Sequence, residues 1–260
     1  MVTDNNNATE IKKDAENGSA KTALQETLTG SKQSALQKYQ AIVIGRPGLF
    51  RLLLFELLTT LLGPLPGALG LLLRKKLYPL LLGKVGRNVV FGRSLTIRHP
   101  HKIVIGDNCI IDDYAVLDAK GDSNTGITMG SNVMLGRNSV LSCKNGDLII
   151  GDNVNIAMNC FLQSAATVRI GRDTLLSAYC YLIGGGDHKI IRKDIPIMAQ
   201  GQVVRGIEIG QDCLLGAGVY VQDGVNIGKG SVMGTGATVT ENMPEYVVAV
   251  GVPAKVIKNR

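Results

Sequence analysis

The sequence predicts a parallel β-helix, on three observations. An aliphatic residue recurs every six positions from Ile105 to about Asn242. Glycine follows it in the clearest copies, at Ile105-Gly106-Asp107-Asn108, Ile150-Gly151-Asp152-Asn153, Ile170-Gly171-Arg172-Asp173, Ile209-Gly210-Gln211-Asp212 and Ile227-Gly228-Lys229-Gly230. Insertions fall only between groups of three hexads. A fixed hexad over this length is a solenoid signature, because each repeat can bury its apolar face only against its neighbours.

Each hexad reads as a short strand and a turn. Two residues before each aliphatic stands a small or apolar residue, as at Cys109, Ala115, Cys160, Thr174, Cys180 and Cys213. Strand side chains alternate faces, so two inward slots two apart mark a strand. The Gly, Asn and Asp between them tolerate positive φ. Three hexads close one triangular coil, giving coils that begin at Val85, Ile105, Met129, Ile150, Ile170, Ile209 and Ile227. At sheet spacing the seven coils form a prism on the order of 33 Å tall.

Composition agrees with a narrow interior: the chain has 32 Gly, no Trp and 4% aromatic residues. Four of the five Cys occupy the small inward slot, which predicts buried thiols in a reducing compartment rather than disulfides or a zinc ribbon. The polar N-terminus carries no secretory signal. The net charge of +7 is uneven: residues 41–104 hold ten basic groups and only Glu56 as an acid, whereas residues 105–260 hold thirteen basic against fifteen acidic groups. Positive charge gathered around the most apolar segment points to a membrane surface and away from nucleic acid, whose readers interleave basic and aromatic residues.

Along the chain, residues 1–44 are expected to be disordered, with helical character near Ala35 to Ile44. Residues 45–84 are expected to form an apolar helical hairpin, Leu49–Leu62 and Pro66–Leu82, joined at Gly63-Pro64-Leu65-Pro66-Gly67. The uncharged run Leu57–Leu73 has 17 residues, but its prolines disfavour one straight span. Residues 47–82 therefore read as a re-entrant or interfacial hairpin, with Arg74, Lys75 and Lys76 reaching anionic headgroups. The alternative is a pair of helices packed on the prism or between subunits. The β-helix spans 85–243 and a tail spans 244–260. A long interruption at 183–208 carries Gly184-Gly185-Gly186-Asp187-His188, and long loops within a regular repeat are usually functional.

The hexads, the Asp187-His188 loop before Pro196-Ile197, and the ending Gly251-Val252-Pro253-Ala254-Lys255-Val256-Ile257 resemble the hexapeptide-repeat acyltransferases, in the sugar and polysaccharide O-acetyltransferase branch. The resemblance covers about Val85 to Lys258. It implies a left-handed hand for the helix, a homotrimer, and acetyl-CoA and acceptor held in clefts between prisms. It further implies a sugar, glycolipid or envelope polysaccharide acceptor, and a cytoplasmic protein peripheral or monotopic at the inner face of the membrane.

Acyl transfer to a hydroxyl needs one base near neutral pKa, and His188 is the candidate. Asp187 would orient the imidazole or meet the acceptor. The positions matching the family's CoA contacts are Ala217, Thr235, Thr240, Lys255 and Lys258. Two departures stand out: Cys213-Leu214-Leu215-Gly216 lacks the usual aromatic, and Glu241 replaces a Lys that would meet phosphate. A zinc site of carbonic-anhydrase type is rejected, because His99 and His101 lie in the first coil, roughly 19 Å from His188 along the axis. They are expected on the surface, facing the membrane side. Gly228-Lys229-Gly230-Ser231 lacks the run of a phosphate loop. The competing functions are an N-acetyltransferase acting on an amino sugar nucleotide and a non-catalytic scaffold docked at the membrane.

Overall fold

A computed structural model describes residues 33–260; the disorder expected of residues 1–32 lies outside the described residues. The chain is a parallel β-solenoid with three faces. The first face holds seven strands from Lys84–Val85 to Asn226–Ile227, and the third holds seven from Thr96–Arg98 to Thr238–Val239. The second runs from Val90–Phe91 to Val232–Met233 and adds Val247–Val250 and Lys255–Asn259. Coils stack in register, as where Leu148 and Ile150 face Val168 and Ile170. The inward aliphatics from Ile105 to Val239 are almost fully buried, and all five Cys are buried and free.

The hexad works because of its corners. Asn88, Asn108, Asn132, Asn153 and Asp173 all have φ between 57° and 60° at the corner between the first and second faces. Left-handed backbone disfavours most side chains and spares Asn and Asp. Stacked there, they form a ladder: each Asn Nδ2 donates to the next Oδ1, at 3.3, 3.2, 2.9 and 2.7 Å in order. The glycine before each rung has a different cause. A Cβ on Gly106 would lie 2.5 Å from the Gly130 carbonyl oxygen, because the next coil's backbone passes there.

Beyond the seven full coils the chain begins an eighth. Met243 bridges to Ile227 and Val247–Val250 pairs parallel with Val232–Met233. Lys255–Asn259 then turns back antiparallel beside it and pairs with the edge that Val247–Val250 would otherwise expose.

At the other end, among the described residues, lie the α-helices α1 (Ala35–Tyr39), α2 (Leu49–Leu62) and α3 (Gly67–Leu77), with a π-helical turn, Gln40–Ile44, after α1. Ser34 and Gln37 form a capping box on α1. The second apolar helix is shorter than the sequence pattern suggested, because Pro79 ends it in a 3-10 turn, Tyr78–Leu80. On α2, Leu52, Phe55, Leu58 and Leu62 are buried, while Leu49, Phe50, Leu53, Leu57 and Leu61 are 55–77% exposed. The spacing puts the two sets on opposite sides of the helix.

Two side chains depart from expectation. Arg74 is not at a headgroup position: it is 1% exposed and donates to the carbonyls of Phe91 (3.0 Å), Leu62 (2.8 Å) and Leu65 (2.7 Å). The Leu62 and Leu65 carbonyls lie at the end of α2 and in its connection and the Phe91 carbonyl in the first coil, so the guanidinium ties the hairpin to that coil. His99 is also buried, with backbone in the left-handed region (φ 50°). Its Nε2 lies 3.0 Å from the Ala41 carbonyl, and its ring stacks on His101 at 6.0 Å. The residues Gln40–Ile44 cover it, which sequence periodicity does not reveal.

Replacing Arg74 with Met should remove the donor shared by the Phe91, Leu62 and Leu65 carbonyls and cost on the order of 3 kcal/mol. The check is a lower denaturant midpoint together with new protease cuts within residues 45–84. A second expectation concerns pH. Burial first, then the Arg46 guanidinium and the His99 ring, hold the His101 imidazole down at about 4, against an ordinary 6.5. Burial likewise lowers His99, opposed by its bond to Ala41. The folded state thus favours neutral rings, and the unfolded chain binds more protons below 6.5. Stability from these contacts is complete above about 6.5 and lost as pH falls toward 4. Amide exchange over 40–44, corrected for intrinsic rate, should rise across that window while the central coils stay protected.

Candidate active site

The loop carrying His188 leaves the third face after Tyr181–Gly184 and rejoins the first at Ile207–Ile209. The shorter excursion between Val116–Asp118 and Ile127–Met129 leaves at the same corner. An aspartate from the following coil closes each. The Asp223 carboxylate, 6% exposed, accepts from the backbone N–H of Arg205 (2.9 Å) and Gly206 (2.7 Å). Asp147 accepts from Thr125 and Gly126, both at 2.8 Å. Gly185, at φ 109°, allows the turn outward: a Cβ there would press on Ala165 and Val204 at 2.8 Å.

Asp187–His188 then pairs antiparallel with Gln202–Val203, opposing Asp187 to Val203 and His188 to Gln202. His188 Nε2 lies 3.0 Å from Gln202 Nε2. With the amide oxygen turned to the ring, Nε2–H donates to Gln202 and Nδ1 keeps the free lone pair. That Nδ1 is buried and has no hydrogen-bond partner among the described residues. Farther out, the Gln200 side chain bonds both backbone groups of Arg192, and Arg192 pairs with Asp194. The tip also presents Ile190 and Ile191, 74% and 84% exposed. A histidine with one nitrogen engaged and the other unsatisfied, beside exposed isoleucines, is a site that lacks a wall.

The other positions singled out by sequence fall in two places. Ala217 and Thr235 lie at the corner between the second and third faces in adjacent coils, where the Gly236 N–H donates to the Ala217 carbonyl at 2.8 Å. Thr240 follows Thr238–Val239 at the corner from which the His188 loop departs, about two coils or ~10 Å farther along the axis. Lys255 Nζ meets Glu241 3.3 Å away, an exposed pair. The ending straps over this edge: Thr238 N–H donates to Gly251 (3.0 Å) and Ala254 N–H to Thr238 (2.8 Å). Lys258 opposes Val248 in the last strand pair and is exposed. The two groups thus flank the third face, whose outer side carries Phe161, Tyr181 and Tyr220 stacked at 4.8 and 5.9 Å.

Sequence reasoning missed Gln202 and Asp223. An Asp-Gly at the corner one coil after the long insertion is the signal for Asp223; nothing in the repeat marks Gln202.

The profile described as the hexapeptide repeat of succinyl-transferase matches residues 126–164 and 206–241. Three curated relatives are similar. A Mycobacterium tuberculosis protein provisionally named an acetyltransferase is 34% identical over 52% of this chain and 44% of its own length. An Escherichia coli protein provisionally named a lipopolysaccharide biosynthesis O-acetyl transferase is 33% identical over 44% and 61%. A second from Escherichia coli, provisionally named a colanic acid biosynthesis acetyltransferase, is 29% identical over 68% and 69%. The chain therefore spans less than two thirds of the first two relatives it matches. The matched repeats coincide with the three-faced solenoid. Among the proteins this chain is similar to are ones named for O-acetyl transfer in lipopolysaccharide biosynthesis and to galactosides.

Gln202→Leu should remove the side-chain contact to His188 while leaving the backbone pairing intact. The expected result is an unchanged unfolding free energy, within about 0.5 kcal/mol, and a shifted, narrowed His188 ring resonance as the imidazole begins to rotate freely.

Proposed function

We propose that the protein transfers an acetyl group from acetyl-CoA to a hydroxyl of a sugar, glycolipid or envelope polysaccharide precursor. The observation that carries the reading is His188, an imidazole held on a two-residue ladder with one nitrogen bonded to Gln202 and the other unpaired. The acceptor O–H gives its proton to the imidazole as its oxygen attacks the thioester carbonyl. The C–S bond breaks, and the imidazolium returns the proton to the departing thiolate. Asp187 lies in the same ladder and is assigned to orientation of base or acceptor.

Ala217, Thr235 and Thr240 are assigned to the pantetheine and adenosine path, and Lys255 and Lys258 to its phosphates. Lys255 is compatible with this role because its pair with Glu241 is exposed and weak, so a phosphate can displace the carboxylate. Neither residue group surrounds a ligand on one chain. Two groups flanking one face, with exposed isoleucines on the loop between coils, support a homotrimer in which neighbouring prisms complete each site. The exposed row on α2 supports attachment of residues 47–82 to the cytoplasmic face of the membrane; no helix among the described residues is long and apolar enough to cross it.

The test is thiol release from acetyl-CoA with free sugars, lipid-linked sugars and amino sugar nucleotides as acceptors. Replacing His188 with Ala should lower kcat by roughly 10²–10⁴-fold, with the assembly unchanged by light scattering. An unaltered rate in that variant removes His188 as the base. Turnover confined to amino sugar nucleotides makes the protein an N-acetyltransferase, and no turnover with any acceptor leaves the scaffold.

A further inference from the structure

A cleft of about 380 Å³ opens at the N-terminal end of the solenoid, where α2, the Tyr78–Leu80 turn and the Pro100–Lys102 corner meet. Its lining is divided by chemistry: Arg46, Arg51 and His101 supply polar groups, and Leu54, Phe55 and Leu80 supply apolar ones. The Arg51 guanidinium donates to the Pro47 carbonyl at 3.0 Å. Neither Arg46 nor Arg51 has a carboxylate partner among the described residues. The only acid within 41–104, Glu56, is occupied by the Tyr39 hydroxyl. Arg46 and Lys102 both add positive potential at the His101 ring. Two guanidiniums without counter-charge, set against an apolar wall, fit an anion that carries a hydrocarbon body.

The surroundings identify the source of that anion. Leu49, Leu53, Leu57 and Leu61 repeat every fourth residue along the outer side of α2, with Phe50 beside them, all exposed. Arg51 lies on the same helix, one turn from Leu54 and Phe55 in the cleft wall. A bilayer that accepts the leucine row offers its phosphates to basic residues flanking that helix.

The geometry points to this cleft as a binding site for the phosphate headgroup of an anionic phospholipid, with Arg46 and Arg51 holding the phosphate and Leu54, Phe55 and Leu80 against its first methylenes. The inference rests on the membrane-surface reading of residues 47–82 and assigns that contact a specific lipid site.

Two measurements on the full chain test it. The first is co-sedimentation with vesicles of phosphatidylcholine, alone or mixed with phosphatidylglycerol, comparing wild type, Arg46→Gln/Arg51→Gln and the charge-matched Lys75→Ala/Lys76→Ala. The arginine variant should bind mixed vesicles roughly 30-fold more weakly, with its binding to pure phosphatidylcholine retained. An equal loss in the lysine variant means diffuse attraction and overturns the site. The second is NMR titration of wild-type His101 with short-chain phosphatidylglycerol below its aggregation concentration, beside inorganic phosphate. The lipid should raise the His101 pKa, since a bound anion stabilises the imidazolium, and phosphate at equal concentration should not. An equal response to phosphate makes it a free-anion site and overturns the lipid assignment. No vesicle binding with the lipid-induced shift intact removes the membrane reading and leaves the cleft. No shift with vesicle binding intact removes the cleft alone.

Discussion

The structure depends on turning a strand every six residues through backbone that most side chains resist. At the corner between the first and second faces the turn is made by Asn or Asp in left-handed conformation, in coil after coil. The amides there bond to one another along the axis, so the residue that permits the turn also fixes the register of the next coil. That corner has no room for insertion: the ladder must be continuous, and the neighbouring glycines lie against the backbone of the following coil.

Insertions are therefore confined to the corner between the third and first faces, and this decides where chemistry can be placed. Each excursion is closed by an aspartate that accepts backbone N–H groups at its base. One carboxylate per excursion, buried at Asp223 and half-buried at Asp147, offsets the opening of the wall, and no coil is rebuilt. Outside that base, the His188 loop is held by a two-residue ladder and a few side-chain bonds, and it exposes large aliphatics. Its residues are positioned well enough to present an imidazole and too sparsely to enclose a ligand on one chain.

A solenoid also has two ends, and each exposes unpaired sheet edges and core unless covered. The C-terminal end is closed by backbone, with Lys255–Asn259 running antiparallel beside Val247–Val250. The N-terminal end is closed by side chains: α2 sets Leu52, Phe55, Leu58 and Leu62 inward, and Arg74 satisfies three carbonyls at the junction. What distinguishes this cap is its outer side, which is leucine rather than charge. A helix that only sealed the prism would gain nothing from that row, and the unneutralised arginines beside it give the row a direction to face.

The sequence by itself determined the solenoid, because a period of six with small residues at fixed slots leaves no other way to bury so many aliphatics. It also located α2, the corner of the insertions and the loop holding His188. Tertiary structure alone decided what lies across the chain from each residue. Arg74, read from its Lys neighbours as a surface cation, turned inward to carbonyls at the end of α2, in its connection and in the first coil. His99 and His101 were covered by a segment more than 50 residues earlier in the chain. Gln202 reached His188 only because the loop folds back on itself. Periodicity reports which way a side chain points within its own repeat; its partner comes from contacts between distant segments, which no local pattern encodes.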